Sequence, residues 1–353
     1  MESTGKYWIP VYNVLESSCK VTFAHPKYVK AIRGKKTDKK YSIWIADLFK
    51  HDLVPGSFIP EKLIRDLREV LRYRSKIVSV RSSEKNRLQN SLTVSNIQLA
   101  SVVSDTFGKS SQAIISHLLE HPGDSQFDFL PLLHGSMRKN EEQIALAIDG
   151  EISPVQASKI KICLNHVDTL NQYLEMLGDL ADSIAKPFSS AIMILESVPG
   201  ISHLSALIIL SEIGADMSLF KSSKHLCSWT GLAPCNDQSD GKKKSTKISR
   251  AGVYIKPIMT QCALAAIKDK DFPHYRQRYE ALKHRRGHQK SIIAIARLMI
   301  TAIYTMLSNG ELFNPEIYTE SLRNPLYILT PEQQLIHLAK RLGYSVVKVP
   351  VSV

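Results

Sequence analysis

A long stretch in the middle of the chain places apolar residues at alternating spacings of three and four. Ser153 is a good helix cap, Pro154 suits a first helical position and Pro187 ends the pattern, so a helix is predicted over residues 153–186. The spacing is that of heptad a and d positions and indicates packing against another helix. That partner could belong to the same chain or to a second copy, and the sequence leaves both open. The apolar positions are Ile160, Cys163, Val167, Leu170, Leu174, Leu177, Ala181 and Ile184.

A second long helix is predicted from about residue 61 to residue 92, with Pro60 at its start and apolar positions at helical spacing. Arginine covers much of the remaining surface, at positions such as Arg65, Arg68 and Arg72. Such a surface suits the phosphate backbone of a nucleic acid. A solvated, charged helix face explains the same pattern equally well.

The N-terminal part of the chain gives shorter signals. Residues 6–16 suit a short helix, and residues 20–24 alternate apolar and polar side chains as a short strand does. Thr37 or Asp38 can cap the helix that follows. A strand followed by a helix indicates an α/β fragment, although one strand does not make a sheet.

From about residue 190 the pattern is helical with compact turns. The segment "LESVPGISHLSALIILSEIG" has the form of a helix–hairpin–helix, in which turn amides and a helix N-terminus hold a phosphate. Gly200 is therefore a candidate nucleic-acid contact, and an ordinary tight turn between two helices is the alternative. Further elements are predicted as helices at 253–267, 274–285, 290–308 and 331–342 and as a strand at the C-terminus.

The most apolar stretch, residues 291–307, falls short of the roughly 20 residues that a membrane span needs. Arg297 lies at its centre, where a charge costs about 2.5–3.5 kcal/mol on insertion scales. The stretch is therefore predicted to be a core helix, and no membrane partner is expected.

Composition adds a charge imbalance. Lys and Arg total 46 and Asp and Glu total 33, which gives a formal net charge of +13 at pH 7. That excess favours a polyanionic partner, nucleic acid first and a membrane surface second, although it also aids solubility. The five cysteines never occur in CxxC spacing, which favours a reducing cytosol and argues against a zinc finger or a disulfide scaffold.

The stretch "GLAPCNDQSDGKKKSTKISRAG", residues 231–252, carries the most chemistry. It is predicted to be a polar loop flexed by glycine and built to meet phosphate. Ser239 lies at its leading edge and is a candidate nucleophile, since nearby cations could stabilise developing charge. A phosphorylatable or merely solvated loop is the alternative. Its cations are Lys242, Lys243, Lys244, Lys247 and Arg250.

Several stretches taken in order resemble one known family. They include "MESTGKYWIPVYNVLE", "HPKYVKAIRGKKTDKK", "WIADLFKHDLVPGSFIP", "VPGI", "LCSWTGLAPCNDQSDGKKKSTKISRAG" and "KPIMTQCALAA". Over roughly residues 1–310 the chain resembles the DEDD-type insertion-sequence transposases, serine-using recombinases guided by a bridge RNA. The resemblance implies an N-terminal RuvC-like domain, a helical linker that forms a dimerising coiled coil, and a C-terminal serine transposase domain.

The resemblance also implies site residues and partners. Glu2 and Asp38 correspond to two of the four carboxylates that hold Mg²⁺ in the family, and Ser239 corresponds to the nucleophile that attacks DNA. Lys35 and Lys36, in the basic run before Asp38, are candidate nucleic-acid contacts. DNA, a structured guide RNA and a second copy of the chain are the implied partners. The implied location is the prokaryotic cytoplasm, in association with the nucleoid.

The chain departs from the family pattern at three places. The family's leading Asp lies upstream of the Glu, whereas here the chain starts one residue before Glu2, so an N-terminally truncated copy is expected. Tyr41 stands where the fourth acid is expected, three residues after Asp38, and a neutral phenol is a poor Mg²⁺ ligand. Asp240 adds a negative charge directly after Ser239. These departures predict impaired activity, with an inactive dimeric DNA- or RNA-binding remnant as the alternative.

The predicted fold class is mainly α with an incomplete α/β N-terminal part. The predicted limits are a truncated RuvC-like domain at 1–60, a coiled-coil linker at 61–187, a serine transposase domain at 188–310 and a C-terminal segment at 311–353.

Overall fold

The computed structural model describes residues 1–2, 5–24, 29, 37–54, 56–124, 127–234, 237–239, 242–245, 248–316 and 344. Within these residues the fold is mainly helical, as predicted. The predicted helix at 331–342 and the C-terminal strand lie outside the described residues. Two compact units are formed, the first from Met1–Ile64 with Pro187–Val353 and the second from Arg65–Lys186.

The elements up to residue 185 are α1 (Trp8–Leu15), α2 (Asp38–Lys50), α3 (Lys62–Val94), α4 (Leu99–Val102), α5 (Lys109–Glu120), α6 (Glu141–Ala147) and α7 (Pro154–Ala185). The elements after it are α8 (Ser189–Glu196), α9 (His203–Ile213), α10 (Ser223–Trp229), β1 (Asp237–Ser239), β2 (Lys242–Ser245), α11 (Ile255–Ala266), α12 (His274–Arg286) and α13 (His288–Asn309). Short 3₁₀ turns connect some of them, at Leu130–Leu132, Gly135–Asn140, Lys186–Phe188 and Met217–Leu219.

Helix α13 is the central helix of the first unit and packs against α8, α10, α11 and α12. Its length and apolar composition would suffice to cross a membrane, but half of that apolar window is buried inside the protein. A helix that is apolar and largely covered by neighbouring helices is typical of a protein core. The prediction of a core helix at this position is confirmed by the residues that α13 buries, which are Ile292, Ile295, Ala296, Met299, Ile300, Ile303 and Met306.

The N-terminal part of the first unit is a small α/β arrangement. Glu2 forms a parallel bridge with Ala24, and Ala24 forms an antiparallel bridge with Gly56. The expected strand at 20–24 is wrong in extent, because the pairing is confined to single bridges and does not form a ladder. Helix α2 begins at Asp38 as predicted, and its cap is Thr37, whose hydroxyl accepts from the Lys40 amide at 3.4 Å.

The second unit is built on α3 and α7. Ser153 caps α7 by accepting from the Gln156 amide at 3.3 Å, as its sequence predicts. The heptad face of α7 packs against α3 in the same chain, with Ile77 against Leu170 and Leu174. Further along, Leu88 and Leu92 share a core cluster with Ile160 and Cys163, so the two helices run antiparallel. The partner that the sequence left open is therefore within the chain.

A polar layer interrupts the apolar contact between α3 and α7. Glu84 is 5% exposed and pairs with Arg87 and, at 3.3 Å, with Nδ1 of His166. Cys163 lies beside the same carboxylate, and burial together with Glu84 raises the pKa of its thiol. Arg81 donates to Asn171 Oδ1 at 2.8 Å in the neighbouring turn. Buried polar groups that depend on particular partners fix the register of a helix pair.

Candidate active site and nucleic-acid contacts

Ser239 lies in a two-stranded antiparallel hairpin of the first unit. Strands β1 and β2 pair Ser239 with Lys242 and Gln238 with Lys243. The predicted polar loop is therefore ordered as a hairpin on both sides of residues 240–241. An Asp-Gly pair between two strands is a strong sequence signal for such a hairpin, and Asp240-Gly241 is that signal here. The side chains of residues 235–247 lie outside the described part of the chain.

The base of the hairpin is closed by two glycines. A Cβ on Gly252 would lie 2.0 Å from the Thr230 carbonyl oxygen, and a Cβ on Gly231 would lie 2.3 Å from the Ala251 carbonyl oxygen. Both have positive φ, +67° for Gly252 and +70° for Gly231, which favours glycine. The two chain segments therefore cross in close backbone contact. Gly252 is required because a side chain would not fit at the crossing, and not because the segment must be flexible.

A group of aromatic rings holds the end of the N-terminal segment against the start of the hairpin region. The Phe58 ring lies 5.1 Å from Phe220 and 5.7 Å from Trp229, measured between centroids. Trp229 is the last residue of α10 and is followed two residues later by Gly231 at the hairpin base. Aromatic contacts of this kind contribute about 0.5–1.5 kcal/mol each beyond area burial. Phe58 was not singled out from sequence, because only the fold brings it to Trp229.

The cations of residues 231–252 follow the hairpin. Lys242, Lys243 and Lys244 belong to β2, and Lys247 lies outside the described residues. Arg250 is exposed just beyond the bridge between Pro234 and Ile248. The register thus places one lysine backbone directly opposite Ser239, and a role of these cations in binding phosphate stays a prediction.

Glu2 is contacted by Tyr41 of α2. The two side chains lie close enough for the phenol to act as a hydrogen-bond donor towards the carboxylate. Burial raises the pKa of Tyr41, and the hydrogen bond to Glu2 and its negative charge act in the same direction. Position 41 therefore lies where a second carboxylate could meet Glu2, and the phenol remains a neutral donor near pH 7.

Asp38 begins α2 one helical turn before Tyr41, so the two positions share a face of the helix. The Asp38 side chain lies outside the described part of the chain. Among the described side chains, no three His, Cys, Asp or Glu residues come together in a group that could hold a metal ion. A carboxylate satisfied by a phenol does not fit a pair of Mg²⁺ ions, which need several converging oxygens.

Gly200 lies in the turn between α8 and α9, with φ +84°. A Cβ there would be 2.6 Å from the Cys262 carbonyl oxygen and 2.6 Å from the Ala266 nitrogen. The glycine is therefore required for close packing of the turn on α11. Its predicted contact with nucleic acid is untested, as is the helix–hairpin–helix interpretation.

The remaining predicted contacts are basic residues near the N-terminal part. Lys35 and Lys36 lie outside the described residues. Arg65, Arg68 and Arg72 share one face of α3, where each is partly buried and already engaged in a contact within the protein. These arginines are less open than a freely solvated helix face would be, and their role in binding nucleic acid stays a prediction.

Comparison with known families gives two matches in the chain. Residues 1–97 match a family described as Transposase, of the DEDD type of IS110 elements. Residues 193–280 match a family described as Transposase IS116/IS110/IS902 family. The chain carries two transposase domains. No curated protein matches the chain significantly.

The two transposase matches divide the candidate site residues between them. The first contains Glu2, Asp38 and Tyr41, and the second contains Ser239 and Gly200. Helix α7 lies between the two matched ranges. The expected relation to IS110-type transposases is confirmed at the level of these domains.

Proposed function

We propose that this chain is an insertion-sequence transposase that cleaves and rejoins DNA through Ser239. The observation that carries the proposal is the presence of both transposase domains in one chain, the second of which contains the Ser239 hairpin. The N-terminal part is proposed to be a remnant of a RuvC-like domain. DNA is the substrate that transposase domains imply.

In the proposed step the Ser239 hydroxyl oxygen attacks a phosphorus atom of the DNA backbone. A serine–phosphate bond forms, the bond from phosphorus to a deoxyribose oxygen breaks, and the serine proton passes to solvent while the released oxygen takes up a proton. The phosphodiester bond is exchanged rather than hydrolysed, so rejoining needs no external energy. The backbone pairing of Ser239 with Lys242 supports this role, since a cation there would offset charge on the phosphate.

Mg²⁺ is proposed only as a single, weakly held ion. Glu2 and Asp38 would hold it, and a bound divalent ion would supply charge stabilisation at phosphate oxygens. The phenol of Tyr41 beside Glu2 opposes a second ion, because it puts a neutral donor where a further carboxylate would be needed. Low strand-exchange activity is therefore expected from this chain.

The decisive experiment looks for a covalent protein–DNA adduct. The full chain is incubated with supercoiled DNA that carries candidate element ends, with Mg²⁺ or Mn²⁺, and the products are separated under denaturing conditions. We expect an adduct with the wild-type chain and none with Ser239→Ala. Ser245→Ala is the matched control, because Ser245 lies in the same hairpin, and it should retain the adduct. Persistence of the adduct in Ser239→Ala would exclude Ser239 as the nucleophile.

A second candidate function is binding of DNA or of a structured guide RNA without strand cleavage. The observation that favours it is the phenol that satisfies Glu2 where a second acid is expected. It predicts binding that weakens steeply with salt and no cleavage with either metal ion. Formation of an adduct that depends on Ser239 would eliminate this candidate.

Self-association is proposed through α7, on a face roughly 100° around the helix from its heptad seam. That seam packs on α3, whereas a second apolar stripe of the same helix is exposed, at Val155, Ile162, Tyr173, Met176 and Leu180. The first half of α7 carries Lys159, Lys161 and Asp168, and the second half carries Glu175, Asp179 and Asp182. An antiparallel pairing of two copies would oppose these charges and cover the stripe.

A further inference from the structure

Helices α12 and α13 meet at a strongly basic corner that belongs to neither family match. The corner consists of Lys283, His284, Arg285, Arg286, His288 and Lys290, each of them exposed. Between residues 274 and 290 there are six Lys or Arg residues and one acidic residue, so the segment carries 6 − 1 = +5 formal charges. The matched range ends at residue 280, just before the corner.

The corner has a defined backbone. Gly287 joins the two helices with φ +78°, its amide donates to the Lys283 carbonyl at 2.9 Å, and its own carbonyl accepts from the buried Ser291 hydroxyl at 2.8 Å. On the inner side, the Tyr279 hydroxyl lies 2.7 Å from Nδ1 of His288. The basic side chains are thus presented from a fixed turn between two packed helices rather than from a free loop.

Helix stability explains only part of this charge. Cations in the last turn of α12 interact favourably with the helix dipole. Lys290, however, lies in the first turn of α13, where a cation is unfavourable and no acidic residue compensates. Within the described part of the chain, no acidic side chain pairs with Arg285, Arg286 or Lys290. Cations that accumulate in this way repel one another, so they destabilise the folded chain unless an anion binds them.

We propose that this corner binds the phosphate backbone of duplex DNA. The tyrosines nearest to it, Tyr275 and Tyr279, are buried, so among the described residues the corner offers unpaired bases no exposed tyrosine ring to stack on. Contacts with backbone phosphates therefore fit the surface better than contacts with single strands. The choice of DNA over RNA rests on the proposed function, because the adjoining domain is a transposase domain.

The test measures equilibrium binding of the full chain to a short DNA duplex as a function of salt. The variant is Arg285→Gln/Arg286→Gln/Lys290→Gln, and the matched control is Lys109→Gln/Lys139→Gln/Lys186→Gln, which removes the same charge from scattered exposed positions of the second unit. Loss of three phosphate contacts should reduce the slope of log K against log salt by about 2–3. Affinity should fall by about tenfold or more in the corner variant and by clearly less in the control.

The possible results separate this proposal from the proposed function. If the corner variant binds the duplex as tightly as the wild type, the proposal that the corner binds DNA is wrong. The transposase proposal is unaffected by that result. Absence of wild-type binding to any duplex overturns both. A parallel series with an RNA duplex of the same sequence completes the test, since a loss confined to RNA contradicts the assignment to DNA. Equal thermal unfolding of variant and wild type confirms that the fold is intact.

Discussion

Tyr41 lies close to the Glu2 carboxylate, which adds to burial in raising the pKa of the phenol, although the two residues are 39 positions apart in the sequence. The bridge between Glu2 and Ala24 holds one residue, and the α2 helix that begins at Asp38 holds the other. Position 41 is thus the place from which a second carboxylate would reach Glu2.

Replacement of Tyr41 by Asp should create a divalent-metal site. Without metal, two adjacent carboxylates repel, so the variant should be less stable than the wild type. Mn²⁺ or Mg²⁺ should then bind and raise its thermal unfolding temperature, because a ligand that binds only the folded state stabilises it. Calorimetric titration and thermal unfolding measure the two effects.

Tyr41→Phe is the matched control for this change, since it removes the hydrogen bond without adding a ligand. It should bind no more metal than the wild type. If Tyr41→Asp also fails to bind more metal than the wild type, position 41 does not face a metal site.

Substitution of Gly252 by Ala should disrupt the base of the Ser239 hairpin. Its Cβ would lie 2.0 Å from the Thr230 carbonyl oxygen, a backbone atom that cannot move aside cheaply. We expect a loss of more than about 4 kcal/mol in the free energy of unfolding, or failure to fold. Gly287→Ala is the control, because Gly287 also has positive φ but nothing within 4 Å of the new Cβ. It should cost about 1–3 kcal/mol from backbone strain alone, and equal losses in urea unfolding would contradict the close approach at Gly252.

Acidic substitutions in the exposed stripe of α7 should separate dimers. Ile162→Glu/Met176→Glu places two charges in the proposed contact between copies, where burial would be costly. Analytical ultracentrifugation should show a dimer for the wild type and a monomer for the variant. Asn165→Glu/Gln172→Glu adds the same charge at exposed positions of α7 outside the stripe and should leave the dimer intact. A monomeric wild type, or a dimeric stripe variant, would show that this face is not the contact.

The first unit should lose stability as the pH falls below about 6.5. Burial lowers the pKa of His274 from its ordinary value of 6.5, and the charge of Arg278 acts in the same direction. The unfolded chain therefore takes up a proton at a higher pH than the folded chain, and stability is lost as the pH falls from that point through the folded-state pKa. Urea unfolding at a series of pH values measures this slope.

His274→Phe should flatten the slope, because the new side chain does not titrate. His284→Phe changes an exposed histidine of the same helix and should leave the slope as in the wild type. Identical slopes for the wild type and His274→Phe would refute the assignment to His274.

The sequence predicted which face of a helix is buried and where the helix begins better than it predicted which helix packs against that face. Heptad spacing gave the buried face of α7, and Ser153 gave its start, because both depend on local geometry. The packing partner, α3, is about 80 residues away in the chain, and the heptad spacing carries no information about which helix fills the seam.

The candidate site was predicted in part for a similar reason. The spacing of Asp38 and Tyr41 places both positions on one turn of α2, and the fold brings Tyr41 close to Glu2. A common metal site for these positions stays a prediction. The hairpin of Ser239 was expected to be a loop, since its lysine run lacks the apolar alternation of a strand. Its order depends on the crossing of Gly231 and Gly252, which only the folded backbone brings together.

The Glu84 layer sets a limit on how the long helices of the second unit can move. A slide of α7 by one heptad along α3 in one direction would put leucine and tyrosine where Cys163 and His166 now meet Glu84, and a slide in the other direction would put Gln156 and Lys159 there. The first offset leaves a buried carboxylate beside leucine, which costs several kcal/mol, whereas the second offers it a cation. The Glu84 layer therefore opposes displacement of α7 more strongly in one direction than in the other.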